Sequence, residues 1–210
     1  MASIIGLTGQ TGAGKSTVLK MMERKGAAVI DADKVAHFVA DNDLWCLVEI
    51  VTAFSCLVLT EKGKLNRKKL GKIVFADPKK LQTLNKIMFP YIRTAIEQKV
   101  KDFTQAGYER IVIDGATLIE SKCSEMCDVL ISVTAEKEQR LERIIRRDGL
   151  SRLDAERRVF AQKPEEFYTE VSDFVIKNDG NLEELQQKAE IVFQAVLKND
   201  RQRRQEEIIE

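Results

Sequence analysis

A run of small, basic and hydroxyl residues near the start of the chain has the composition of a polyphosphate site. Residues 9–17 read GQTGAGKST, which satisfies the phosphate-loop pattern G-x-x-x-x-G-K-[ST]. The glycines allow backbone N–H groups to approach phosphate oxygens, Lys15 can reach the terminal phosphates, and the Ser16 hydroxyl can bind Mg²⁺. We therefore predict that the chain binds a nucleoside triphosphate and Mg²⁺, with Ser16 as the metal ligand. The residues expected at the nucleotide are Gly12, Ala13, Gly14, Lys15, Ser16 and Thr17.

Two aspartates follow apolar segments that could be strands. Asp33 ends the sequence Ile-Asp-Ala-Asp at residues 30–33. A carboxylate there could accept the proton of an attacking hydroxyl or help to hold Mg²⁺, so we predict a functional role for Asp33. The alternative is that Asp33 only caps the following helix. Asp114 ends a second apolar segment, where it either orients metal-bound water or forms a turn with Gly115, and both interpretations remain open.

An arginine-rich stretch could supply positive charge to a phosphoryl group. Helical spacing places Arg140, Arg143 and Arg147 on one face. Asp148-Gly149 should end that helix, and Ser151 can cap a second one. Two arginine-bearing helices around a glycine turn suit a lid that closes over ATP. The alternative is a solvated pair of charged helices, but Arg143 and Arg147 together favour the lid.

The elements that would position these residues are also recognisable. Five short apolar segments alternate with helical stretches, which indicates a parallel sheet covered on both faces. The predicted fold class is therefore α/β, with a five-stranded parallel sheet flanked by helices. The five segments are residues 4–8, 27–30, 110–113, 129–133 and 174–176.

Residues 34–107 show helical periodicity and little strand signal, and this span is too long for one crossover helix. We expect a helical subdomain there. Within it, residues 44–59 are apolar but short and interrupted by a glutamate, which favours a buried helix over a membrane span. We predict one domain over residues 1–198, whose last helix covers about residues 182–197, followed by a charged tail at residues 199–210.

The composition excludes several classes of partner. The chain has 210 residues, of which 44% are hydrophobic and 32% charged, with a net charge of +1. These values are typical of a globular protein with no overall attraction to nucleic acid or to a membrane surface. We expect neither partner. The first residues lack the pattern of a secretion signal, which favours the cytoplasm.

The phosphate loop and the segments that follow it resemble the dephospho-coenzyme A kinase family. The opening of that family is matched at residues 6–18 and again by Val-Ile-Asp-Ala-Asp at residues 29–33. Further matches follow in family order over nearly the whole chain. They lie at residues 63–70, 74–75, 84–87, 143–148, 162, 172–173 and 175–178.

This resemblance implies a P-loop kinase fold, with a helical substrate-binding subdomain at about residues 34–107 and a lid at about residues 140–165. It implies that ATP phosphorylates the ribose 3′-hydroxyl of dephospho-coenzyme A. The implied catalytic residues are Asp33, Lys15 and Arg147. The implied nucleotide contacts beyond the loop are Arg143 and Asn178, the latter near the adenine. The implied acceptor contacts are Asp33, Arg67 and Asp114.

The chain departs from the family pattern in the acceptor half. His37 stands where the family usually has arginine, and Phe89 precedes Pro90 where the family has histidine. Residues 114–120 read DGATLIE in place of Asp-x-Pro-Leu-Leu-x-Glu. A neutral imidazole at position 37 cannot replace a permanent guanidinium charge.

Two alternatives follow from these departures. The chain could be a kinase of another nucleotide-like acceptor, of the nucleoside monophosphate type. It could also be a non-catalytic regulator that binds ATP and has lost the acceptor site. A GTPase is disfavoured because the sequence contains no Asn-Lys-x-Asp segment at a strand end. For the assembly, we expect a monomer or a small homo-oligomer.

Overall fold

A computed structural model describes the backbone of residues 2–209 and the side chains of residues 2–198. The chain divides into two compact units. One, here called the sheet unit, comprises Met1–Val29 and Phe103–Glu210, and the other, the helical unit, comprises Ile30–Asp102.

The sheet has five strands in the order β2-β3-β1-β4-β5. Strand β1 pairs in parallel with β3 and β4, and β4 pairs in parallel with β5. Leu7 lies opposite Asp114, and Gly9 lies opposite Val133. All five predicted strands are confirmed to within two residues. Parallel strands covered on both faces carry apolar side chains in both directions, which is why short, unbroken apolar runs identified them. The strands are β1 Ser3–Gly9, β2 Ala28–Asp31, β3 Arg110–Asp114, β4 Val129–Thr134 and β5 Phe174–Lys177.

Helices of the sheet unit pack on these strands. Val18 and Met22 of the first helix and Phe193 of the last helix join Ile131 in one buried core. The last helix extends to Ile209, so its predicted end near residue 197 is wrong. The side chains of the predicted tail at residues 199–210 lie outside the described residues. The helices are α1 Lys15–Arg24, α6 Lys137–Asp148, α7 Arg152–Phe160, α8 Glu165–Thr169 and α9 Leu182–Ile209.

Helices α6 and α7 form a hairpin with a small core of its own. Gly149 ends α6 with φ +65°, and the Ser151 side chain accepts a hydrogen bond from the Asp154 amide at the start of α7. Both predictions for this turn are confirmed. Leu141 and Ile144 of α6 are buried together with two residues of α7, Ala155 and Val159. The two helices therefore hold each other in place.

The helical unit contains α2 Ala32–Asn42, α3 Leu44–Phe54 and α4 Arg67–Phe75, followed by α5 Pro78–Gln105, whose last turn belongs to the sheet unit. The helix expected in residues 44–59 is present, but its predicted length and burial are wrong. The helix ends at Phe54, and Trp45 is 73% exposed. Only one face of α3, at Cys46 and Ile50, is buried. The apolar composition of this segment therefore did not predict which of its residues are buried.

The start of the phosphate loop tolerates no side chain. Gly9 has φ +137°, and a Cβ atom there would overlap the carbonyl oxygen of Val133 on β4. Gly26, at the end of α1, has φ +88° with nothing within 4 Å of an added Cβ. Gly26→Ala should therefore lower the free energy of unfolding only through the strain of the left-handed backbone conformation, by about 1–2 kcal/mol. In Gly9→Ala the new methyl group also overlaps the backbone of β4, so the free energy of unfolding should fall by about 3 kcal/mol or more.

Urea unfolding of both variants measures this difference. Equal losses of unfolding free energy in Gly9→Ala and Gly26→Ala would show that the contact with Val133 imposes no constraint.

Candidate active site

The phosphate loop connects β1 to α1. Gly12 and Gly14 have φ +83° and +102°, and the Ala13 amide donates to the Gln10 carbonyl at 3.1 Å. Helix α1 begins at Lys15, so its first amides have no carbonyl within the helix to which they can donate. Amides in this arrangement form a concave anion site at the positive end of the helix dipole. The predicted loop residues thus form a backbone arrangement that suits an anion.

Side chains hold the carbonyl side of the loop. Asn178, buried directly after β5, donates through Nδ2 to the Ala13 carbonyl at 2.6 Å. Arg143 of α6 donates to the Gly12 carbonyl at 3.4 Å and to the Asn178 carbonyl at 3.1 Å. These contacts aim the carbonyls away from the anion site. The side chain of Asn178, which the family resemblance places near adenine, here binds the loop.

Arg140 and Gln162 also contact the loop, a role that the sequence analysis gave to neither of them. Arg140 is 4% exposed and donates through Nε to the Thr11 carbonyl at 3.0 Å. Burial lowers the pKa of its guanidinium. The group nevertheless stays charged, because the pKa of an arginine side chain lies far above neutral pH. The signal available in the sequence was the position of Arg140 one turn before Arg143, on the same helix face.

Lys15 forms an ion pair with Asp114 at the carboxyl end of β3. Both side chains are largely buried, with 21% and 15% of their surfaces exposed. The amide of Gly115 donates to the Leu7 carbonyl at 3.1 Å. Since the Asp114 carboxylate faces the lysine of the phosphate loop, the geometry favours the functional interpretation of Asp114 over a plain turn.

The three arginines of the predicted face have different surroundings. Arg140 is buried and Arg143 contacts the loop, whereas Arg147 is exposed and donates twice to the Asp148 carboxylate, at 2.7 and 2.8 Å. Arg158 of α7 reaches the same carboxylate at 2.7 Å. Hydrogen bonds from Arg147, with the charge of Arg158, lower the pKa of the Asp148 carboxyl. Arg147 is therefore held at the tip of the hairpin by its neighbour.

Asp33 lies in the first turn of α2, in the helical unit. The cap of α2 is Asp31, whose carboxylate accepts from the Lys34 amide at 2.9 Å. The capping alternative for Asp33 is therefore wrong. Asp33 is exposed, and no described side chain of the helical unit pairs with its carboxylate.

Arg67, at the start of α4, binds α2. Its guanidinium donates to the His37 carbonyl at 2.7 Å and pairs with the Asp41 carboxylate at 2.6 Å. The His37 side chain is exposed. The structure thus brings together Arg67 and His37, two positions of the predicted acceptor half.

Among the side chains of residues 2–198, no group of three or more His, Cys, Asp or Glu could hold a metal ion. None of the helices in that part of the chain has both the length and the apolar character needed to cross a membrane. The expected cytoplasmic location stays a prediction.

Comparison with known proteins assigns the family. A family model described as dephospho-CoA kinase matches residues 3–184. The chain belongs to the dephospho-CoA kinase family. A dephospho-CoA kinase from Carboxydothermus hydrogenoformans is 37% identical over 191 residues, covering 91% of this chain and 93% of that protein. One from Arabidopsis thaliana is 39% identical over 190 residues, covering 90% of this chain and 82% of the relative.

Solved structures agree with this assignment. The dephospho-CoA kinase from Campylobacter jejuni has a TM-score of 0.69 and 29% sequence identity, and the match covers 95% of this chain and all of that one. The resemblance inferred from the motifs and the predicted P-loop kinase fold are both confirmed. Membership of a dephospho-CoA kinase family implies ATP as a substrate.

The role of Lys15 can be tested through nucleotide binding. Lys15→Ala removes the side-chain cation that we expect the loop to present to the β- and γ-phosphates. We expect ATP affinity measured by calorimetry to fall at least about tenfold, or 1.4 kcal/mol. Lys20→Ala removes a charge from an exposed position of the same helix and should leave affinity unchanged. A folded Lys15→Ala protein with wild-type affinity would contradict the assignment of the phosphate site.

Proposed function

We propose that this chain transfers the γ-phosphoryl group of ATP to the ribose 3′-hydroxyl of dephospho-CoA, giving CoA and ADP. Family membership over residues 3–184 supports this proposal. The observation that carries it is the anion site at the start of α1, with Lys15 paired to Asp114 beside it. Loop, lysine and strand-end carboxylate are the parts from which phosphoryl transfer sites of P-loop enzymes are built.

The nucleotide is proposed to lie along the sheet unit. Its phosphates would meet the unpaired amides at the end of the loop and the start of α1, together with the ammonium of Lys15. A cleft of about 480 Å³, lined by Arg143, Gln139 and Gly180 among others, opens beside α6. Arg143 borders this cleft and also donates to the Gly12 carbonyl. We assign the adenine to this cleft, because a guanidinium plane stacks on aromatic rings.

The residues present fit a Mg²⁺ ion. Mg²⁺ keeps several waters and uses one or two protein ligands together with phosphate oxygens, so a cluster of three acidic residues is unnecessary. The exposed Ser16 hydroxyl is the proposed ligand, and Asp114 is the carboxylate that would orient metal-bound water. When bound, the ion would neutralise charge on the β- and γ-phosphates.

Asp33 is the proposed general base. It follows the end of β2 by two residues, and ligands of open parallel sheets bind at the carboxyl ends of the strands. Since Asp31 caps α2, the carboxylate of Asp33 has no capping role. It can therefore accept the proton of the ribose hydroxyl. Arg67 is proposed to contact the acceptor from α4. The expected monomer or small homo-oligomer stays a prediction.

Arg147 is proposed to act on the transferring group after leaving Asp148. Arg147→Ala should lower kcat by about tenfold or more, because a guanidinium stabilises charge that develops during transfer. Arg157→Ala, on the exposed side of α7 with a pair to Asp154 at 3.5 Å, is the matched control and should have little effect. Steady-state kinetics with both substrates varied distinguish the roles. A raised acceptor KM with an unchanged kcat would place Arg147 in the acceptor site instead.

Asp33→Asn tests the proposed reaction most specifically. Asparagine keeps the shape of the side chain but cannot accept the proton, so kcat should fall by roughly 100-fold while ATP affinity is retained. Asp77→Asn is the control, since Asp77 accepts from the Lys79 amide at the start of α5 and asparagine caps equally well. Transfer at the wild-type rate by Asp33→Asn would exclude Asp33 as the base.

The altered acceptor half gives a second candidate, an ATP-binding regulator. Its specific support is His37 and Phe89, which stand where the family usually carries arginine and histidine. A wild-type chain that binds ATP but phosphorylates no acceptor would favour this candidate. The double change His37→Arg with Phe89→His should then raise acceptor turnover if those positions caused the loss.

A further inference from the structure

A buried cation behind the phosphate loop has no part in the reaction as described above. Arg140 of α6 is 4% exposed, and burying a guanidinium is costly unless its donors are paired. Its Nε donates to the Thr11 carbonyl at 3.0 Å, and its Nη2 donates to Oε1 of Gln162 at 2.7 Å. Both partners are uncharged, so Arg140 is not simply one half of a buried salt bridge.

Gln162 completes a closed set of contacts around Thr11. Its Oε1 accepts from the Thr11 amide at 3.0 Å, and its Nε2 donates to the Thr11 hydroxyl at 2.9 Å. The next residue takes part as well, because Gln10 donates through Nε2 to the Lys163 carbonyl at 3.0 Å. Amide, carbonyl and hydroxyl of Thr11 are therefore all held by residues of the α6–α7 region.

The backbone of α6 also touches the loop. A Cβ atom on Gly12 would lie 2.8 Å from the Arg140 carbonyl oxygen and 3.1 Å from its Cα atom. Gly12, with φ +83°, thus allows the helix to approach closely enough for the Arg140 side chain to reach Thr11. This close approach of the two backbones is independent of the hydrogen bonds of Arg140 and Gln162. Like those hydrogen bonds, it shows that α6 packs directly against the phosphate loop.

These contacts determine which loop amides are available to phosphate. The Thr11 amide is committed to Gln162, so it points away from the anion site. The first half of the loop is thereby fixed, which leaves the anion site to the amides that follow and that have no carbonyl partner in the loop or in α1. Gln162 lies just after α7, whereas Arg140 lies in α6, so the two ends of the arginine hairpin meet at one residue of the loop.

We propose that Arg140 and Gln162 are positioning residues that hold Thr11 and thereby preset the phosphate loop for the β- and γ-phosphates of ATP. The proposal rests on the proposed function only in taking the loop as the ATP site. Because the same pair joins both ends of the hairpin, the loop geometry and the placement of Arg143 and Arg147 depend on each other.

The test separates positioning from packing. Dissociation constants are measured for ATP by calorimetry and for AMP by displacement of a fluorescent ATP analogue, alongside urea unfolding. Arg140→Ala and Gln162→Ala should each weaken ATP binding about tenfold, the scale of a lost hydrogen bond to a charged group. AMP lacks the β- and γ-phosphates, so its affinity should change less than about twofold in both variants.

Coupling and rescue provide further readouts. Since the pair acts as one unit, the double variant should bind ATP about as well as either single variant. Gln162→Glu keeps the oxygen that accepts from Thr11 and Arg140, and the Thr11 hydroxyl can reverse to donate, so ATP affinity should stay within about threefold of wild type. Arg157→Ala controls for the loss of a hairpin arginine and should leave ATP affinity unchanged.

Several results would overturn the proposal. ATP affinity that stays at the wild-type value while the unfolding free energy falls would show a purely structural role. Equal losses for ATP and AMP, additive losses in the double variant, or a Gln162→Glu protein as impaired as Gln162→Ala would each contradict positioning. The Gln162 variants keep the test decisive if Arg140→Ala does not fold. None of these measurements uses dephospho-CoA, so they stand apart from the identity of the acceptor.

Discussion

A phosphate loop can present its amides to an anion only if its carbonyls are satisfied on the opposite side. In this chain three side chains meet that requirement. Asn178 binds the Ala13 carbonyl, Arg143 binds the Gly12 carbonyl, and Arg140 binds the Thr11 carbonyl. Glycine conformations make the loop shape available, but these donors select it. The anion site therefore depends as much on residues from positions 140 to 178 as on the loop sequence itself.

The parallel sheet brings those distant residues to the loop. In the order β3-β1-β4-β5, the strand that leads into the loop lies between the strands that end at Asp114 and at Thr134. Asn178 follows β5, where its amide donates to the Thr134 carbonyl at 2.8 Å. The Asp114 carboxylate faces Lys15, and the side-chain amide of Asn178 binds the Ala13 carbonyl. These two groups thus come from strands on opposite sides of β1. A register shift in either pairing would move one of them away from the loop.

The sequence was most informative where a residue's role is local. The loop, the strands and the glycine turn at Gly149 follow from backbone preferences and short apolar runs, and all of them are confirmed. Arg140 and Gln162 were given no role at the loop, because the residue that both of them contact, Thr11, lies far away in the sequence. The cap of α2 shows the same limit on a smaller scale. Asp31 and Asp33 are equally suitable caps by residue type, and only the helix start decides between them.

Burial was harder to predict than secondary structure. The apolar residues of α3 indicated a helix correctly, yet Trp45 is largely exposed, because a single buried face suffices to fix that helix. The end of α9 was also missed, since charged residues at positions 198 to 205 continue a helix as readily as they end one.

The central claim is that this chain still phosphorylates dephospho-CoA although its acceptor half differs from the usual pattern at His37 and Phe89. The most direct measurement incubates the purified protein with ATP, Mg²⁺ and a panel of acceptors, and follows the products by mass spectrometry and phosphorus NMR. The account predicts that dephospho-CoA has the highest kcat/KM and gains one phosphoryl group at the ribose 3′-oxygen. Preferential phosphorylation of a nucleoside monophosphate, or ATP binding with no transfer to any acceptor, would contradict it.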